Sequence, residues 1–295
     1  MLVAESLLAN CLSSLRRTQN ADGGWGYLPA KKSWLEPTVY AALALHGDPA
    51  ADRAWTLVES WQSEDGSFRP AADVSVSSWG TSLALTLAAA RGRLGSFRRS
   101  VDWLLGVSGV ESRWRNRMAA RMGWLNAERD LTLKGWPWSP NTSSWVEPTA
   151  HALIALKKAE PAFPGPEIRE RIRLGQAQLL DVRCSDAGWN YGSRAALRVD
   201  LPSYPETTGL ALLGLQGQPG LQKSLDLALR LVRESNSAMA RAWLTLALRL
   251  HGAPVPALPP PPASPDLQIL ALEALAAPEG NFELLKTAAE ARVAA

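Results

Sequence analysis

Four acidic side chains recur at one place in a repeated phrase. Ser33-Trp-Leu-Glu-Pro-Thr38, Ser144-Trp-Val-Glu-Pro-Thr149 and Ser203-Tyr-Pro-Glu-Thr-Thr208 each set a glutamate (Glu36, Glu147, Glu206) two residues before a threonine, and Asp266 holds the same place before Gln268. A carboxyl group fixed in this way serves as a general acid or base once burial or a neighbouring charge moves its pKa from the ordinary value near ~4.3. A purely local reading competes. Proline suits the first helical position, the residue before it avoids helical angles, and an acid beside a helix N-terminus is favoured by the dipole. On that reading Glu36 and Glu147 sit at helix caps and Glu206 belongs to a Ser-x-x-Glu capping box, each adding about 1 kcal/mol.

The aromatic residues are skewed toward indole, with 13 Trp against 4 Phe and 4 Tyr. Trp34, Trp79, Trp145 and Tyr204 lie near the starts of the apolar helices, Trp79 in the place where other copies have the acid. Around a central cavity they would form an electron-rich collar that attracts cations, carbocations included, through the ring quadrupole. The alternative is that they wedge repeats apart. Trp25, Trp136, Trp138 and Trp189 fall in Gly-rich turns and read as structural. A basic run, Arg113, Arg115, Arg117 and Arg121, is interleaved with Trp114 and Trp124. It suits a diphosphate or the anionic headgroups of a membrane surface, or else it is the solvated face of an inserted helix. Metal ligation is poorly supported. Asp181 and Cys184, with His151 as the only further ligand in view, make a poor zinc set. No Asp-Asp pair exists to hold magnesium and a diphosphate. No metal and no cofactor is expected.

These residues need a scaffold, and internal repetition supplies it. Each phrase opens a segment reading Thr-x-x-Ala-x-Leu/Ile-x-Leu: Thr38–Leu45, Thr149–Leu156 and Thr208–Leu215, with looser copies from Thr81, Met239 and Gln268. Six helix starts result. The segments are apolar almost all round, as in helices buried on most faces. A second motif, Gln-x3-Gly-x-aromatic, precedes the first at Gln19–Trp25 and Gln62–Phe68, with partial copies at Gly135–Trp138 and Gly188-Trp189. It follows amphipathic runs such as Leu8–Gln19 and Ala54–Gln62. The unit is therefore an amphipathic helix, a Gly/Trp turn and an apolar helix. Six such hairpins predict an all-α chain closed into an α/α toroid, apolar helices inside and amphipathic ones outside. Repeats one to five occupy 1–253, a proline-rich connector 254–265, and a closing helical segment packed on the same toroid 266–295.

The Gln-x3-Gly-x-Trp element resembles the QW motif of squalene-hopene cyclases. The helix-opening phrases resemble the inner-helix starts of the wider superfamily, which includes protein prenyltransferase β subunits. That resemblance covers roughly residues 5 to 275 and implies the toroid. It also implies an isoprenoid or other lipid in a central cavity, and proton-initiated cyclisation or isomerisation. Those cyclases open an inner helix with Asp-x-Asp-Asp-Thr-Ala. Trp145-Val-Glu-Pro-Thr-Ala150 falls on that phrase, so the resemblance makes Glu147 the proton donor. Trp145 and Pro148 replace the first and third acids, which points away from squalene-type chemistry and toward easier protonations. A toroid that has lost its acids and merely binds a lipid or a protein is the alternative.

The bulk properties agree. At 295 residues, 46% hydrophobic and 20% charged, the chain has length for one such domain. Triterpene cyclases have two, which leaves room for a smaller substrate, a partner subunit or a cavity open on one side. A net charge of +3 does not call for nucleic acid. Two cysteines, Cys11 and Cys184, make no disulfide framework, so a reducing, cytoplasmic location is expected. Arg16 and Arg17 follow rather than precede the apolar stretch from Leu2, the wrong order for a signal peptide. No run is long enough to span a bilayer. Contact with the inner face of the membrane is the expected form of any membrane association.

Overall fold

A computed structural model describes residues 7–124, 129–196, 199–259 and 264–287. Among these the chain forms α1 (Leu7–Thr18), α2 (Leu35–Ala44), α3 (Pro49–Ser60), α4 (Gly80–Ala90), α5 (Arg98–Gly106), α6 (Trp114–Arg121), α7 (Val146–Ala159), α8 (Pro166–Asp181), α9 (Pro205–Gly214), α10 (Gln222–Glu234), α11 (Ala238–Leu250) and α12 (Leu267–Ala276). The six apolar helices α2, α4, α7, α9, α11 and α12 each pack on the next, and α12 returns to α2. The ring is closed, and the all-α toroid read from the repeats is the fold. All six begin within three residues of the starts read from sequence. A two-stranded ribbon, Ala195–Ala196 against Val199–Asp200, interrupts the loop before α9.

The outer layer departs from six equal hairpins. Helices α1, α3, α5, α8 and α10 lie outside the inner ring, and each buries only one stripe. Between α11 and α12 the described part of the proline-rich run takes the outer place. It lies beside α11, where the Arg241 guanidinium donates to the Pro259 carbonyl. Proline lacks the N–H that a helix needs, so this run cannot supply a sixth outer helix.

The repeated residues form one hydrogen-bond plan. The backbone N–H groups of Trp25, Phe68, Trp136 and Trp189 donate to the hydroxyls of Thr38, Thr81, Thr149 and Thr208 at 2.9, 2.9, 2.9 and 3.0 Å. Each turn is thereby pinned to the first turn of its inner helix. The indole N–H groups of Trp25, Trp136 and Trp189 donate to the carbonyls of Leu15, Leu104 and Leu179, near the end of the preceding outer helix, at 2.9, 2.9 and 2.6 Å. A buried indole needs such an acceptor and phenylalanine offers no donor, which accounts for part of the tryptophan excess. The motif glutamines reach onward: Gln19 donates to the Ala50 carbonyl and Gln62 to the Ser100 hydroxyl, at 2.8 and 2.9 Å.

A circumferential set ties unit to unit. The N–H groups of Leu35, Trp79 and Val146 donate to the carbonyls of Pro70, Trp138 and Tyr191, each two residues past the turn aromatic of the next unit. Leu267 donates to Tyr27 at 2.8 Å, two residues past Trp25, and so joins the last unit to the first. The inner helices are parallel, with all their N-termini at one end, here called the mouth. The opposite end is strapped by the chain after α12. There Asn281 donates to the Ala44 carbonyl at 3.0 Å and Gln216 to the Leu285 carbonyl at 3.1 Å.

Candidate functional site at the mouth of the ring

Inner-helix starts place the recurring acids, but not at the caps. Trp34, Trp145 and Tyr204 are the N-cap residues, with extended backbone. Glu36, Glu147 and Glu206 occupy the second helical position. No N-cap side chain satisfies these helix starts. Instead the N–H groups of Trp34, Trp145 and Tyr204 donate to the carbonyls of Trp25, Trp136 and Trp189. Tertiary contacts replace the cap, and the glutamates are left free of it. Asp266 differs, being a true N-cap whose carboxylate accepts from Gln268 N and Ile269 N. Gln268 therefore stands where the glutamates stand, correcting the alignment read from sequence.

Two of the acids converge. Gln268 Nε2 and Tyr27 Oη both donate to Glu36, one to each carboxyl oxygen, at 2.7 Å. Glu36 in turn acts electrostatically on Glu147. Helix α4 separates α2 from α7 in the ring, so groups from α2 and α7 that sense each other lie over its axis. Burial, with a further push from Glu36, raises the Glu147 carboxyl to about 8. No hydrogen bond to it is found among the described residues. Burial raises Glu36 as well, opposed by its two donors. Two carboxyls in unequal surroundings share their charge unequally. Glu36, with a donor on each oxygen, is the better placed of the two to carry charge, and Glu147, to which no hydrogen bond is found among the described residues, is the better placed to keep a proton. Glu206 lies apart from this pair, accepting from the Ser237 hydroxyl at 3.1 Å.

Below the acids the ring is filled. Tyr40 of α2, His151 of α7 and Trp243 of α11 meet across the axis, with Tyr40 Oη 3.2 Å from His151 Nε2 and ring centroids 5.5 to 6.3 Å apart. Burial pushes His151 down to about 3, so it is a neutral core imidazole. These rings form a floor across the axis about one turn below Glu147. Neither sequence pattern nor motif singled out this trio, since nothing in one helix shows what the opposite helix brings.

The predicted collar is divided. Trp79 packs edge-on against Trp138 and lies 5.3 Å from His151, so it belongs to the floor. Trp34 packs near Tyr27 under the Lys32 ammonium. Trp145 and Tyr204 stand further round, with Tyr191, in a cleft of about 390 Å³. Among the described residues no ring contact joins these three groups. Glu111, which belongs to no repeated motif, is buried in the turn before α6. It accepts from Ser144 N at 3.2 Å and from the Ser144 hydroxyl. It does there what Asp22 and Asp186 do for Ser33 and Ser203 in other units, where the third turn has Leu133. Arg113, Arg115, Arg117 and Arg121 lie on or beside α6, away from the axis. Among the described residues no three metal-ligating side chains converge.

No protein-family model and no curated protein matches the sequence. Solved structures do resemble the fold. One is a type II terpene cyclase, MstE from Scytonema, in complex with geranylgeranyl dihydroxybenzoate: 16% identity over 92% of this chain and 77% of that one, TM-score 0.53. Another is a family 8 glycosyl hydrolase, an endoglucanase from Klebsiella pneumoniae, at 15% identity, 90% and 97% coverage and TM-score 0.54. A third is a family 76 α-mannanase from Bacteroides thetaiotaomicron, at 10%, 92% and 93%, and 0.55. At these identities the likeness establishes an α/α toroid of the kind shared by cyclases and glycosidases, and the chemistry has to be read from the site.

Proposed function

We propose that this chain is a terpene-cyclase-like protein that receives an isoprenoid or related lipid at the mouth of its toroid, with Glu147 as proton donor. The Gln-x3-Gly-x-aromatic turns are then QW-type repeats. One feature supports the reading: burial and Glu36 push the Glu147 carboxyl up to about 8, and no hydrogen bond to it is found among the described residues. The cyclase bound to geranylgeranyl dihydroxybenzoate lends weight, since its fold holds an isoprenoid. A carboxyl near 8 is a weaker acid than an ordinary one, so the proton suits an activated acceptor, such as an epoxide oxygen, better than an isolated alkene. The proton passes from the Glu147 hydroxyl to the acceptor, and the carboxylate is reprotonated from water or from the carbon that loses a proton at termination.

The test is incubation of the purified chain with squalene, its epoxide and linear prenyl diphosphates, followed by analysis for cyclised or isomerised product. Product is expected from at least one substrate and is expected to vanish with Glu147→Gln. Equal product from that variant removes Glu147 from the mechanism. Binding without turnover by both proteins supports instead a toroid that holds a lipid and does no chemistry.

A further inference from the structure

Exposed hydrophobic side chains are not scattered over this molecule. Among the described residues every large one except Leu7 lies in a segment joining the end of an outer helix to the start of an inner one. Tyr27 and Leu28 precede α2, Val76 precedes α4, and Tyr191 and Val199 precede α9. All these segments belong to the mouth. Clustering of exposed apolar groups at one end marks a contact surface, whereas single ones do not.

Helix α6 is the extreme case. It buries no residue at all. Trp114, Met118 and Met122 follow one another at intervals of four along one stripe, and are 69%, 44% and 47% exposed. Trp124, just beyond, is 77% exposed. Arg113, Arg117 and Arg121 make a parallel stripe one residue away, and Arg115 lies over the Trp114 ring at 5.6 Å. No acid occurs from Ser112 to Trp124. The helix is anchored at the mouth, where Val110 N donates to the Thr142 carbonyl and the Asn116 amide to the Val110 carbonyl.

We propose that the mouth end of the toroid docks on an anionic lipid bilayer, with α6 lying in the headgroup plane. Charge complementarity selects this occupant: four arginines with no intervening acid match anionic headgroups, and two exposed tryptophans with two methionines match the boundary between headgroups and acyl chains. Spanning is not involved, because no described helix is long and apolar enough to cross a membrane. The docking end is the end at which α7 starts with Glu147 in its first turn. The evidence for docking is independent of any chemistry at Glu147.

Vesicle sedimentation with the full chain tests this without an activity readout. Binding is expected to phosphatidylcholine vesicles containing phosphatidylglycerol, and much less to phosphatidylcholine alone. Replacing Arg113, Arg115, Arg117 and Arg121 together by Gln is expected to weaken binding more than about tenfold. Replacing Arg98, Arg169, Arg173 and Arg230 by Gln changes net charge equally on the outer helices and is expected to leave binding nearly intact. Trp114→Ala with Trp124→Ala is expected to weaken binding several-fold and keep the preference for anionic lipid. Since α6 buries nothing, its variants are expected to fold. No binding to anionic vesicles, or equal losses from the two arginine sets, overturns the proposal.

Discussion

Replacing Glu147 by Gln makes this protein more stable in mild alkali and leaves it unchanged in acid. In the folded chain the carboxyl titrates near 8, against 4.5 for an unhindered glutamate. Below pH 4.5 both states hold the proton and Glu147 contributes no pH dependence. Between these values the unfolded chain releases it while the folded chain keeps it. The unfolded state then binds fewer protons, so stability falls as pH rises through that window. With about 1.36 kcal/mol per unit and the folded group half ionised at pH 8, the ceiling on the loss is about 4 kcal/mol. A carboxyl at the edge of solvent recovers some hydration on ionising, and about 2 kcal/mol is the expected observation. Glutamine has the same shape and no titration, so the variant lacks this loss. Urea unfolding of both proteins at pH 4 and pH 8 measures the difference. A stability difference that does not change with pH refutes the placement of the proton on Glu147.

Tyr27→Phe removes one of the two donors to Glu36, each of which favours its charged form. The proton is then drawn toward Glu36, and the Glu147 carboxyl is expected to titrate lower, by about half a unit or more; carboxyl carbon NMR of the two glutamates reads this directly. Thr149→Val keeps the bulk of α7 but strands the Trp136 N–H, which is buried. A loss of about 1–3 kcal/mol is expected in chemical denaturation, and an unchanged midpoint would remove the threonine from the hydrogen-bond plan.

Much of the scaffold was legible in the chain. The inner helices announce themselves because a helix buried on all sides must be apolar all round, and the turns because a left-handed backbone and a buried indole restrict which residues fit. Gly23 has φ +92°, and a side chain there would press on the Arg53 carbonyl. The repeat threonines are visible for the same reason, each filling one role in every unit. The proline-rich run before α12 was legible too, because proline has no N–H to give a helix.

The site is a different matter. From the sequence, Glu147 was one of several equivalent helix-start acids, lacking the companions that the cyclase phrase it resembles places in the same helix. The ring supplies a companion from α2, and α12 with the turn before α2 supplies the two donors that set Glu36 apart from Glu147. Residues 36, 147 and 268 are far apart in the chain, and only closure of the toroid sets them over one axis. The same closure brings Tyr40, His151 and Trp243 together and floors the mouth. Sequence fixes each helix and its buried face, because those depend on neighbours three and four residues away. Which protonation state a buried carboxyl adopts depends on what surrounds it in space, and that is settled only when the ring is shut.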